Sequence, residues 1–462
     1  MPVLTQPDEV VTLTDRLVPV LGLLVMMGVS LLMSTNWRAA LRRWPLIAWG
    51  VGLQFILAIV VLKTELGSWL FGILDSGFNE LINCTSAGSE FVFGSLGRAG
   101  GPDTFATVGY VDAKVNHVAG VTNFGMVFAF FVLPSIIFFS ALTSILFHLN
   151  IMQVVVKAIA WVMQRTLGTS GAETLSTSAN IFLGQTEAPL VVKPFIARMT
   201  NSELMAIMVG GFATVAGGVM AAYVGFLHDK IPHIAGHLMA ASVMAAPGTL
   251  LFSKLMVPET EVPETAGATE IKIEKLSANV VDAATLGASE GVALSLNVGG
   301  MLIAFLAVIA LLDMLLQGSA GIVLRTFNYY AYGSLADTPA PTWMNMRSLA
   351  GYLFAPQAWL LGVTDPKDAV LVGRLLGIKM VSNEFVAYLE MANMQDLGPR
   401  ARVIAAYALC GFANFGSIGI QIGGLAVMAP ERRQDISRLA LRAMIAGTFA
   451  SNATGAIAAI LM

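Results

Sequence analysis

The sequence predicts an all-α polytopic membrane protein with about eight transmembrane helices and two re-entrant helical hairpins. Three observations carry this expectation. The 462-residue chain is 56% hydrophobic and only 12% charged, about half the charged share of an ordinary soluble domain. Residues 17–34, 44–63, 123–147, 202–227, 236–257 and 290–317 form apolar runs long enough, at about 1.5 Å per helical residue, to cross a hydrocarbon core of about 30 Å. The chain also carries 45 glycines and 18 prolines, which let helices approach closely and break where a cavity or neighbouring helix can take up the freed backbone.

The composition excludes other classes. A formal charge of −3 and the lack of a long basic run argue against a nucleic acid partner. Cys84 and Cys410 are far apart and give no disulfide framework. Asn83-Cys84-Thr85 matches a glycosylation acceptor only by a short pattern. Residues 1–14 are acidic or neutral and no small-residue cleavage site follows the first run, so no cleavable signal peptide is expected.

The loop from Thr35 to Pro45 carries Arg38, Arg42 and Arg43. The positive-inside rule puts it in the cytoplasm and the N-terminus outside. Residues 64–122, of mixed polarity, read as interfacial helices and loops, with Trp69, Phe71 and Phe78 at a headgroup boundary. Residues 151–168 suit an amphipathic helix. Between Gly171 and Pro194 the chain is apolar, but Gly184 and Pro189 interrupt it, which fits two half-helices joined by a turn. A second discontinuity falls at 348–390, where Pro356, Gly362, Pro366, Gly373 and Gly377 divide the chain. Broken segments in both halves point to a transporter site at the interface of an inverted repeat. The stretch 258–278, with five glutamates and two lysines, reads as extramembranous. The final span, about 443–462, follows Arg432, Arg433, Arg438 and Arg442, which puts both termini outside if the crossings number eight.

The candidate working residues lie at the breaks. Gln185, Thr186 and Glu187 set an amide, a hydroxyl and a carboxylate side by side at membrane depth, where a lone carboxylate costs about 3 kcal/mol on the gentler insertion scales. The glutamine amide suits the edge of a nucleobase or another planar amide; the bland alternative is that these groups satisfy the broken backbone. Glu384, beside Asn383, can bind hydroxyls or a cation, or belong to a buried hydrogen-bond network. Asn414 and Ser417 share a helical face and could hold sugar hydroxyls, with Phe412 or Phe415 over an apolar surface; the surrounding glycines equally fit tight packing. Asn180 and Thr214, with carbonyls near Leu183, Thr214 and Val215, make a candidate sodium cage, and glycine-mediated packing explains that stretch as readily. His228, His233 and His237 do not share one face and read as loop or interfacial histidines rather than a metal site. Asp313 suits a proton relay or a membrane-boundary role equally.

Taken together, Gly184-Gln185-Thr186-Glu187-Ala188-Pro189-Leu190, Ser382-Asn383-Glu384-Phe385-Val386-Ala387-Tyr388 and Gly411-Phe412-Ala413-Asn414-Phe415-Gly416-Ser417-Ile418-Gly419 resemble the signatures of the concentrative nucleoside transporter family. The stretch from Ala246 through Lys254 to Glu261 does too, so the resemblance covers nearly the whole chain. It implies a trimerising scaffold domain and a transport domain with an inverted-repeat core. Residues 1–170 would then hold scaffold and interfacial helices, 171–275 the first hairpin and first transport half, 276–345 a scaffold helix and connection, and 346–462 the second hairpin and transport half. It further implies that Gln185, Thr186 and Glu187 hold the nucleobase, that Glu384, Asn414 and Ser417 hold the ribose beside Phe412, and that sodium sits among Asn180, Leu183, Thr214 and Val215. Thr214 stands where some members have serine. The implied activity is sodium-coupled symport of nucleosides such as uridine, cytidine or adenosine across a bacterial inner membrane by a lipid-embedded homotrimer, with sodium as coupling ion and no organic cofactor. Proton coupling is the alternative; a membrane enzyme or a channel is the reading from a different class, and no reactive nucleophile or metal cluster supports an enzyme.

Overall fold

The computed structural model describes residues 11–97, 107–111, 118–123, 128–267, 277–332 and 345–462. Its first part holds α1 (Leu13–Leu32), α2 (Trp37–Arg42), α3 (Trp44–Lys63), α4 (Glu65–Phe93) and a small antiparallel ribbon of β1 (Thr107–Val111) with β2 (Val118–Asn123). Then come α5 (Phe128–His148), α6 (Ile151–Leu167), α7 (Gly171–Ala179), α8 (Lys193–Ile196), α9 (Asn201–Ala213), α10 (Gly217–Leu227) and α11 (Ile234–Met256). The last part holds α12 (Val280–Tyr332), α13 (Met346–Leu360), α14 (Pro366–Val381), α15 (Glu384–Asn393), α16 (Pro399–Leu409), α17 (Phe415–Met428) and α18 (Arg433–Leu461).

The same order of elements occurs twice. A long helix (α5, then α12) leads to a shorter one (α6, then α13). A broken hairpin follows (α7–α8, then α14–α15), then a helix interrupted midway (α9–α10, then α16–α17), then an unbroken helix (α11, then α18). Counterparts pack on each other: α5 lies along α12 and α11 along α18. Among the described residues α1, α3, α9–α10, α11, α12 and α18 are long and apolar enough to cross a membrane, and α5, bent 76° from α6, adds a seventh. The broken pair α16–α17 holds in the second unit the place that α9–α10 holds in the first.

The interior of this assembly is built from small residues. Alanines such as Ala206, Ala246, Ala405 and Ala453 are fully buried or nearly so, and Gly447 sits close against Phe212. Small side chains let the helices approach, and in lipid that close packing is what holds them together. By contrast α12 is only 17% buried over its most apolar window, so most of its apolar surface faces outward.

Several sequence expectations shift. The described part of residues 64–122 holds one 29-residue helix, α4, a short 3-10 turn and most of the ribbon. Of the three aromatics expected at a headgroup boundary, Trp69 is exposed, whereas Phe71 is buried edge-on to His237 and Phe78 stacks on Phe139. Of the run 123–147, Asn123 ends β2 and Phe128 onward lies in α5, while residues 124–127 lie outside the described residues. The run 290–317 lies inside the 53-residue α12, because hydropathy marks the membrane and not the helix ends. Within 258–278 the described part is loop and turn; residues 268–276 lie outside the described residues.

One buried ionic group ties the first hairpin to α9 and α11. The Lys254 ammonium lies 2.6 Å from Glu173 and 3.6 Å from Glu259 and donates to the Ser202 hydroxyl at 2.8 Å. Glu173 and Glu203 are also the capping-box residues of α7 and α9, paired with Ser170 and Thr200. Ser170 in turn donates to Glu203 at 2.6 Å and Thr200 to Glu259 at 2.7 Å. Removing the only lysine of this group would strand carboxylates out of water. Lys254→Met should therefore cost about 3–5 kcal/mol of stability, read as a large drop in the melting temperature of the purified protein; an unchanged transition would refute the ionic role.

Candidate functional site

The first hairpin breaks where its sequence forbids helix. Helix α7 ends at Asn180, and the chain resumes as a short 3-10 turn at Ala188–Val192, with Pro189 near its start where a missing N–H costs nothing. The tip between them closes on itself, because the Gly184 N–H donates to Glu187 Oε2 at 2.6 Å. The tip residues then part company. Gln185 and Thr186 turn toward the interior: Gln185 lies against Gly211 of α9 and the Thr186 methyl against Gly424 of α17. Glu187 borders a cavity of about 270 Å³ between the hairpin and α5, α6 and α12, together with Leu183, Lys193, His148 and Glu290. The three tip side chains therefore do not share one cavity, because the tight Gly184–Glu187 turn aims them to opposite sides.

The second hairpin and second broken helix meet at Glu384. Asn383 caps α15 by accepting the Val386 N–H at 2.9 Å. That leaves Glu384 as the first helical residue, where the helix dipole favours a negative charge. Its carboxylate accepts from Tyr223 Oη at 3.0 Å and from Asn414 Nδ2 at 3.1 Å. Asn414 also caps α17, its Oδ1 accepting the Ser417 N–H at 2.8 Å. One asparagine thus shapes the helix start and presents its amide to the carboxylate. Glu384, Asn414 and Ser417 are all buried.

Helix α17 joins this group to the hairpin tip. Ser417, Gln421 and Gly424 follow Asn414 at helical spacing along one side. Gln421 donates to the Met208 carbonyl at 2.9 Å, its Oε1 has no hydrogen-bond partner, and it lies against Gly211, as Gln185 does. The Gln185 Oε1 is likewise unpaired. From Ser417 to Gln421 is four residues, about 6 Å of helix. A buried carboxylate with hydroxyl and amide neighbours thus lies at one end of a short stripe, and two unpaired amide oxygens lie at the other. Hydroxyls suit the first end and amide or amino donors suit the second.

The candidate cation residues gather at the two helix ends beside this stripe. Thr214 is extended (φ −123°, ψ 170°), which ends α9, and its hydroxyl donates back to the Gly210 carbonyl at 3.0 Å. Asn180 lies against the same Gly210; its Nδ2 donates to the Ser176 carbonyl at 3.2 Å, while its Oδ1 is fully buried without a partner. The Thr214 carbonyl accepts from the Phe412 N–H at 3.3 Å, and Val215 is buried beside it. An orphaned buried oxygen costs about 1–3 kcal/mol, and a hard cation bound by oxygens would relieve that cost. The donor set fits sodium.

The two broken helices cross at that Phe412–Thr214 bond. A Cβ on Gly411 would stand 2.8 Å from the Phe212 carbonyl oxygen and 2.9 Å from that of Ala213. Gly411→Ala should therefore push the breaks apart and lower the melting temperature of the purified protein; an unchanged transition would contradict the crossing's importance.

The remaining candidates disperse. His228 pairs with Asp229 and His233 with Asp75, whereas His237, contrary to a loop or interfacial position, is buried in α11 beside the Tyr407 hydroxyl at 3.1 Å. No group of three or more His, Cys, Asp or Glu side chains that could hold a metal ion forms among the described residues. Asp313 accepts the Met346 N–H at 2.6 Å and so fastens the start of α13. Sequence reasoning missed Tyr223, because its bond to Glu384 spans 161 residues. Gln421, too, was missed, although its helical spacing from Ser417 is readable in the sequence.

Comparison with known proteins covers nearly the whole length. Residues 21–96 and 237–459 match the families described as Na+ dependent nucleoside transporter N-terminus and C-terminus, and 129–230 match one described as Nucleoside recognition. An uncharacterized transporter of Haemophilus influenzae is 41% identical over 449 residues, 96% of this chain and 97% of that protein. Sodium/nucleoside cotransporter 1 of Mus musculus is 39% identical over 97% of this chain, which spans 64% of the mouse protein. The solved structure of CNTnw in an inward-facing substrate-bound state is 38% identical, covers 96% of this chain and 97% of its own, and superposes with a TM-score of 0.79. A variant of CNTnw in an outward-facing state superposes with a TM-score of 0.80.

Proposed function

The chain belongs to the concentrative, sodium-dependent nucleoside transporter family, and from that premise we propose that it carries nucleosides into the cell by sodium-coupled symport. It is a multi-pass membrane transporter and not an enzyme. The observation that most supports the finer reading is the stripe along α17. Glu384, Asn414 and Ser417 suit the ribose hydroxyls, with Phe412 beside them. Gln185 and Thr186 suit the nucleobase edge, and Glu187, turned to the other side of the tip, holds that tip closed on Gly184. Uridine, cytidine and adenosine all carry both chemistries.

Sodium would bind Asn180 and Thr214 together with carbonyls of Leu183 and Val215. Asn180 is the last residue before the tip that carries Gln185, so ordering one orders the other. Reciprocity then requires nucleoside to raise sodium affinity by the same factor. Inward movement of one positive charge gains about 2.3 kcal/mol per 100 mV, enough to drive accumulation of a neutral solute. In this reading residues 171–275 and 346–462 form the transport domain, moving elevator-like against residues 1–170 and 276–345. The outward apolar face of α12 suits the contact of a homotrimer in a bacterial inner membrane.

The coupling has a direct test on purified protein. Sodium and uridine together should raise the melting temperature by more than the sum of their separate effects, because each strengthens binding of the other. Strictly additive shifts would remove the coupling. Equal uridine stabilisation in potassium, together with a dependence on pH, would favour proton coupling instead.

A further inference from the structure

Lys379 is a buried lysine in the last turn of α14, three residues before the second hairpin tip. Its ammonium donates to the Ala408 carbonyl at 2.9 Å and to the Ser451 hydroxyl of α18 at 3.2 Å. Ala408 lies in the last turn of α16, where carbonyls have no intrahelical partner. The neighbouring carbonyls of that turn are satisfied by neutral donors, Ala406 by the Tyr388 hydroxyl at 2.6 Å and Tyr407 by the Cys410 N–H at 3.1 Å. The lysine therefore places a full positive charge where the C-terminal, negative ends of two broken helices converge. Glu384 follows five residues on, as the first residue of α15.

The first repeat has the same junction without that charge. There the ends of α7 and α9 converge on Asn180 and Thr214, both neutral, and Asn180 Oδ1 is left unpaired. We propose that Lys379 is a covalently tethered counterpart of the coupling sodium, supplying to the second repeat the positive charge that a mobile ion supplies to the first. The inference rests on the sodium reading of the Asn180 junction. It makes Lys379 a positioning residue: its charge holds the ends of α14 and α16 together, and with them Glu384 and Asn414.

Uptake by Lys379→Gln, Lys379→Arg and Ser451→Ala proteins in sealed vesicles separates charge from hydrogen bonding. Glutamine keeps donors for Ala408 and Ser451 but no charge, so Lys379→Gln should raise the uridine KM about tenfold or more. Its sodium response should also steepen, because sodium is now needed at both junctions. Arginine keeps the charge and should retain most uptake, and Ser451→Ala should leave uptake near wild type. A Lys379→Gln protein with wild-type KM and sodium response would overturn the proposal. So would one that stays unfolded at every sodium concentration, since a missing charge should be replaceable by the ion. Wild-type uptake in the same vesicles tests the premise separately: sodium-independent wild type removes the underlying reading, whereas sodium-dependent wild type beside an unaltered Lys379→Gln removes this inference alone.

Discussion

Glu384→Gln should lower uridine uptake at limiting substrate by about tenfold to a hundredfold, while the protein still inserts and remains folded. The estimate follows from the loss of one charge-assisted hydrogen bond to a ribose hydroxyl, about 1.5–3 kcal/mol. The carboxylate is positioned from three directions, by the Asn383 cap, the Tyr223 hydroxyl and the Asn414 amide. Glutamine fits the same space but offers an amide nitrogen where one of those donors points, so the partner on that side is left facing another donor. The fold should tolerate this, because Tyr223 is also packed against Phe385 and Tyr388. Uptake that matches wild type at low uridine would remove Glu384 from the sugar site.

Asn180→Ala should raise the sodium concentration needed for half-maximal uptake by about tenfold, with less effect on uptake at saturating sodium. The side-chain oxygen of Asn180 has no partner within the protein, so removing it deletes a ligand without breaking a hydrogen bond made by that oxygen. The Asn180 amide does bond the Ser176 carbonyl, which adds a small structural cost that should appear equally in sodium and in potassium. A sodium response superimposable on wild type would exclude Asn180 from the cation site.

The long apolar runs announced the helices, because a span must be continuous in sequence. Glycine and proline announced the breaks, because each acts on its own backbone. Asn414 and Ser417 were legible as a pair for the same reason: three residues on a helix is a local relation. What could not be read was set by distance along the chain. Tyr223 reaches Glu384 and Gln421 reaches Met208 only after the two repeats have packed together, and Lys379 reaches Ser451 only once the second repeat has folded on itself. The divergence of Gln185 and Glu187 was also hidden, since it depends on a side chain closing its own turn onto Gly184. The ends of α12 escaped because its helix outlasts its hydrophobicity.

The repeat explains why so few polar side chains carry the site. Each unit contributes one hairpin tip and one mid-helix break, and breaks from different units touch at Thr214 and Phe412. Unwound backbone at membrane depth is expensive unless it binds something or meets another break. Here it does both in the proposed reading, and the glycines at 210, 211 and 411 permit the close approach.

Uptake of labelled uridine and adenosine into vesicles containing the purified protein, with an inward sodium gradient and with potassium in its place at fixed pH, tests the central claim most directly. The account predicts saturable accumulation above the external concentration in sodium, and its loss in potassium. Accumulation indifferent to sodium, or no uptake of either nucleoside by folded protein, would contradict it.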